Sequence, residues 1–177
     1  YLGTQSGRLV CCQIVENKEE SSEQDKENLI IFQADLKFNF SIDYISIDPQ
    51  TGTTIAVASR KEGKFSVINN IMKAENKDVF DAYILPEKNS VITSLSFFPG
   101  QVAYLIISTR QKAVLFSIPQ KITIPLITAD DICFISMQTD TNNELIIGSS
   151  NSVTLWKFTS NKKNILDSAN EGANLEY

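Results

Sequence analysis

The sequence predicts an all-β fold, about four blades of a larger, incomplete β-propeller. Three observations predict it. Hairpin-like segments recur along the chain, turn residues separate short β-rich runs, and helical periodicity is almost absent.

The recurring segments are YLGTQSGRLVCCQIV from Tyr1, TIAVASRKEGKFSVI from Thr54, YLIISTRQKAVLFSI from Tyr104 and ELIIGSSNSVTLWKF from Glu144. Each joins two β-rich runs through a polar break holding Ser, Thr or Gly, which is the outline of a hairpin. The last three begin 50 and 40 residues apart, within the period of propeller blades.

A further strand precedes three of these hairpins: DYISID, VITSLSFF and DICFISMQ. Alternating apolar residues, such as Ile45 with Ile47 or Leu95 with Phe97, suit a strand half-buried between stacked sheets. LIIFQADLKF, AYILP and KITIPLI are candidates for outer strands, and NNIMKAENKDVFDAY reads as a linker that contributes an outer strand, with a turn or two of helix as the alternative. The first hairpin lacks a preceding inner strand, so the rest of a ring is expected elsewhere. A free-standing four-bladed ring closed by the tail is the alternative.

The joining turns have a physical reading. The Asp48 carboxylate can accept from the backbone two residues on, Pro49 fixes φ, and Gly52 accepts a positive φ. Pro99 with Gly100, and Asp140 with Asn142 and Asn143, serve the next two turns in the same way.

Composition bounds the function. Of 177 residues, 42% are hydrophobic, enough for one sizeable core, and no apolar run reaches membrane-helix length. Sixteen basic residues against 21 acidic ones give a net charge of −5, which favours protein partners over nucleic-acid phosphates. Histidine is missing entirely, and the three cysteines Cys11, Cys12 and Cys133 form no ligand spacing. No metal, cofactor, small-molecule substrate or nucleophilic triad is expected. The cysteines read as reduced, with Cys11 and Cys12 on opposite faces of a strand.

Two stretches stand apart from the blades. Residues 16–28, ENKEESSEQDKEN, carry charge and no large apolar side chain, so a solvated loop is expected within a propeller domain spanning 1–158. Residues 159–177 read as a polar tail, loose or docked elsewhere.

WD40 repeats carry Gly-His and Trp-Asp dipeptides. Here Trp156 is followed by lysine, so the chain is WD40-like in blade outline but lacks that signature. LGTQSGRLVCCQI, YISIDPQTGTTIAVASRKEGKFSVI, VITSLSFFPG, YLIISTRQKAVLFSI and ELIIGSSNSVTLWKF together resemble a family of large propeller scaffolds. That family includes the damaged-DNA-binding protein large subunit and its divergent fungal cullin-ligase counterpart, the large subunit of the cleavage and polyadenylation specificity factor, and the scaffold of splicing factor 3b. The resemblance implies a non-catalytic, mainly nuclear platform that holds other protein subunits, with a cytoplasmic site as the alternative. Its leading branch is the adaptor of a cullin ubiquitin ligase in DNA repair. A splicing or 3′-end processing scaffold, or a divergent WD40-repeat protein, is the alternative.

Three residues are candidate partner contacts: Tyr44, Arg60 and Phe98. Tyr44 and Phe98 are more commonly inter-blade core, and Arg60 a solvated turn charge. Lys61, Lys64, Arg110 and Lys112, with Arg60, fall at equivalent hairpin turns and could touch phosphates, although such charges more commonly keep a rim solvated. Carboxylates such as Asp43 and Asp48, or Asp130 and Asp131, could in principle supply an acid and a base, but adjacent strand positions point apart and Asp48 already has a turn role. Ser22, followed by Glu23 and Asp25, is a candidate for an acidophilic kinase. Phosphopeptide mapping of the native protein should find Ser22 modified, and coverage of the loop with only unmodified peptide would remove that site.

Overall fold

The computed structural model describes residues 1–16, 28–75, 80–85, 90–98, 103–128, 131–138, 144–158 and 175–176. These residues form an all-β chain of four antiparallel sheets, each a meander built from consecutive strands. The first contains β1 (Leu2–Gly3), β2 (Arg8–Glu16) and β3 (Asn28–Lys37). The second contains β4 (Tyr44–Ile47), β5 (Ile55–Ala58), β6 (Lys64–Ile68) and β7 (Tyr83–Ile84). The third contains β8 (Ile92–Phe97), β9 (Tyr104–Thr109), β10 (Lys112–Ser117) and β11 (Ile122–Thr128). The fourth contains β12 (Ile132–Gln138), β13 (Glu144–Ser149), β14 (Val153–Phe158) and β15 (Leu175–Glu176).

All four hairpins, the three leading strands and the three outer strands fall where the repeat places them. Among its described residues the linker forms a 3-10 turn, Ile71–Lys73, before β7. Leu175–Glu176 is the element the pattern does not signal: this part of the polar tail pairs with Lys157 and Phe158 as the outer strand of the fourth sheet. The acidic stretch 17–27, with Ser22, lies outside the described residues, as do Pro99, Gly100, Asp130, Asp140, Asn142 and Asn143.

The sheets pack face to face because their middle strands are apolar on both sides. Along β5 every residue is buried, and so is every residue of β9 after Tyr104 and of β10 after Lys112. Such runs belong in sheets covered on both faces. Ile55, Val57 and Ile68 turn to the first sheet and pack with Leu9, Cys11, Leu36 and Ile42. The intervening Ala56, Ala58 and Phe65 turn to the third sheet and meet Leu95, Phe97, Leu105, Ile107, Val114 and Phe116. Ile106, Ala113 and Leu115 then face Ile132, Ile135 and Ile147 of the fourth sheet. Each fully buried aliphatic side chain contributes about 1.5–3 kcal/mol over its exposed state.

Hydroxyls join the leading strands across these interfaces. The Phe97 N–H donates to Ser46 Oγ at 3.2 Å, and the Ile135 N–H donates to Ser94 Oγ at 3.1 Å. β8 therefore lies beside both β4 and β12. The ladders of β8 and β12 also bulge at matching places, between Ile92 and Ser94 and between Ile132 and Phe134. A bulge likewise separates Cys11 from Cys12. Cys11 packs in the core between the first two sheets, whereas Cys133 is exposed.

Candidate functional site

The four hairpin turns β1–β2, β5–β6, β9–β10 and β13–β14 share one construction. Each begins with a hydroxyl residue whose side-chain oxygen accepts an N–H from three or four residues further on. Thr4 Oγ1 accepts from Arg8 N at 3.0 Å, Ser59 Oγ from Glu62 N at 3.3 Å, Thr109 Oγ1 from Lys112 N at 3.3 Å, and Ser149 Oγ from Ser152 N at 3.2 Å. A short hydroxyl can stand in for a backbone acceptor in this way, which explains why every polar break holds Ser or Thr. In the first turn Gly7 is required: its φ is +77°, and a Cβ there would come within 2.4 Å of the Phe38 carbonyl oxygen.

The first three turns also meet the start of the next sheet. Ile42 N donates to Thr4 O at 3.0 Å, Ile92 N to Arg60 O at 3.1 Å, and Ile132 N to Arg110 O at 2.8 Å. Successive turns therefore lie on one rim, beside the starts of the leading strands. This rim is the candidate site, because it collects the basic residues on backbone that is tied down.

Arg60, Lys61 and Arg110 are exposed there. The backbone beneath Arg60 is held by a second bond, from its N–H to the Asp43 carboxylate at 2.8 Å. Lys64 is half-buried and its ammonium pairs with Glu62 at 2.9 Å. The Glu62 carboxyl lies below the usual carboxylate range, chiefly because Lys64 donates to it and then because the Ser41 N–H does. Lys112 is half-buried as well. The rim thus offers two arginines and one lysine on adjacent turns, and Lys64 is partly neutralised.

The aromatic candidates part company. Tyr44 is half-buried against the core between the second and third sheets. Phe98 takes the core position and not the partner-contact one: only 4% exposed, it is fixed between the third and fourth sheets. An aromatic ring beside a sheet interface gains most by entering it.

The carboxylates Asp43 and Asp48 are engaged by the backbone. Asp43 accepts from Arg60 N and from Ser41 Oγ, which bonds Ser59 Oγ in turn. Asp48 is 1% exposed and organises the turn between β4 and β5. Its carboxylate accepts from Gln50 N and Thr51 N at 2.9 Å and from the Thr51 hydroxyl, while Gly52 takes φ +65° as its place in the turn requires. Burial pushes the Asp48 carboxyl up, but the bonds from Thr51 and Gln50 together outweigh it and hold the group below the usual carboxylate range.

Among the described residues no three His, Cys, Asp or Glu side chains gather as a metal set, and no helix is long and apolar enough to cross a membrane. The sequence pattern had missed the exposed apolar residues Phe134, Val153 and Leu155 of the fourth sheet. Their signal is the alternation of Val153 and Leu155 within VTLWKF. No family model matches the chain, and no curated protein shows a significant match.

The Asp48 turn makes a direct prediction. Replacing Asp48 with Ala leaves two turn N–H groups without their acceptor and should cost about 1–3 kcal/mol of folding stability in urea titrations followed by circular dichroism. Because the folded pKa is depressed, the charge-dependent part of this stability is complete above the unfolded value of about 3.9 and is lost as pH falls through the folded value. The gap between the native chain and Asp48→Asn should therefore narrow in acid, and a gap that does not change with pH would contradict this role.

Proposed function

We propose that the four sheets are blades of a β-propeller and that the protein is a non-catalytic interaction scaffold. One observation carries this reading: consecutive meanders stack by alternate faces, with their leading strands side by side and their hairpin turns on a shared rim. A propeller repeats that arrangement around an axis and presents loops on a rigid frame, which suits partner binding. The engaged carboxylates Asp43 and Asp48 support a structural role over acid–base chemistry.

Within this reading the favoured role is an adaptor in a nuclear complex such as a cullin ubiquitin ligase in DNA repair. It rests on the resemblance of the blade outline to the propeller scaffolds. The exposed Arg60, Lys61 and Arg110 favour acidic protein surfaces as partners in this acidic chain. The same cations give specific support to the second reading, a splicing or 3′-end processing scaffold, in which the rim contacts phosphates indirectly or weakly.

Affinity purification of the native protein from nuclear extract, with mass spectrometry, distinguishes these readings. Recovery of a cullin and substrate receptors is expected, whereas splicing or polyadenylation subunits would support the second reading. Arg60→Glu combined with Arg110→Glu should release the rim-bound partners while changing stability by no more than about 0.5 kcal/mol per site, because both side chains are exposed. Loss of neither partner set, or recovery of neither, would overturn the scaffold role.

A further inference from the structure

The third sheet shows what the fourth sheet is built to do with its outer face. Backbone pairing aligns Ser94, Ser108 and Ala113 in one row across the third sheet and Ser96, Ile106 and Leu115 in the next. Both rows face the fourth sheet, and Ala113, Ile106 and Leu115 are fully buried beneath it. In the fourth sheet the matching rows are Phe134, Gly148 and Val153, then Ser136, Ile146 and Leu155. They lie on the face opposite Ile135 and Ile147, which pack against the third sheet.

Exposure differs sharply at the matching positions. Ala113 and Leu115 are 0% exposed, whereas Val153 is 69%, Leu155 49% and Phe134 44% exposed. The Phe134 ring lies over Gly148, where a Cβ would come within 2.0 Å of it. A β-branched and a γ-branched residue alternating on one strand, beside a ring, make a sheet-packing surface.

We propose that this face docks a fifth antiparallel β-sheet from outside these 177 residues, and that its leading strand seats as β8 and β12 do. The polar positions fit that occupant. Ser136 stands where Ser46 accepts the Phe97 N–H from the following sheet, and Ser150 follows the capping Ser149 as Arg60 and Arg110 follow Ser59 and Thr109. The incoming strand therefore donates its first N–H to the Ser150 carbonyl, the bond that recurs at all three described interfaces; Ser136 is an exposed acceptor of the Ser46 kind, a bond that the matching Ser96 of the third sheet does not make. Its apolar residues cover Phe134, Ile146, Val153 and Leu155, so it reads as Ile42 to Ile47, Ile92 to Phe97 and Ile132 to Met137 do: Ile-x-x-Ile/Leu-Ser followed by an apolar residue.

A second copy of this chain fits less well. The outward face of its first sheet carries Leu2 and Val10 together with the Arg8–Asp35 ion pair, and seating that pair on Phe134 and Val153 would strip it of water. The inference rests on the packing of the four sheets and not on the scaffold role.

Photo-cross-linking in the native protein tests it, with p-benzoylphenylalanine at Val153 or, separately, at Leu155. Both sites are exposed within the four sheets, so the fold tolerates the replacement, and circular dichroism checks this. The expected product joins either site to a β-patterned segment outside residues 1–177, at a yield several-fold above that from the same probe at exposed Ile84 of β7. Cross-links into a second copy of these residues, into a helix-patterned segment, or at yields no higher than from Ile84, would overturn the proposal. Removing Arg60 and Arg110 leaves this cross-link intact, so its failure is distinguishable from failure of the scaffold role.

Discussion

The structure depends on middle strands that are apolar on both faces. In β5, Ile55 and Val57 serve one interface while Ala56 and Ala58 serve the next, and in β9 Leu105 and Ile107 alternate with Ile106 in the same way. A period of two then gives the second and third sheets a neighbour on either side. A one-residue slip in any ladder would exchange the two sets of side chains, so each register is fixed by both adjoining interfaces.

Polar groups set the spacing between those layers. Ser46 and Ser94 hold backbone N–H groups of the following sheet, and the turn carbonyls of Thr4, Arg60 and Arg110 hold the first residue of the next leading strand. The turn carbonyls satisfy donors at or just before strand starts, and the serines satisfy donors further along the leading strands. They also tie the basic turns to the core, so the exposed side chains of Arg60 and Arg110 project from fixed backbone. A rigid rim of this kind loses little conformational entropy when a partner docks.

Much of this architecture was legible in the sequence. Ser, Thr and Gly in the hairpin breaks, and Asp48 with Pro49 and Gly52, are local chemistry, and local chemistry is what a sequence displays directly. Pairing of the tail at Leu175–Glu176 was not legible, because two residues carry no period and their partner lies far back along the chain. For Phe98 the core was the commoner expectation, and only the neighbouring sheet decides between it and a surface contact. The Ile-x-x-Ile/Leu-Ser rows of the leading strands were present in the sequence throughout. Their meaning emerges only when the bulges and inter-sheet bonds align them.

Native-state hydrogen exchange tests the two-faced packing most directly. If the third sheet is the layer clamped from both sides, the amides of Leu105 to Ile107 in β9 and Val114 to Phe116 in β10 will exchange most slowly, at the rate set by global unfolding. Amides of β14, whose outer face is open within these four sheets, will exchange faster in the isolated chain. Protection that is equal in the two sheets, or greatest in β14, would contradict the account.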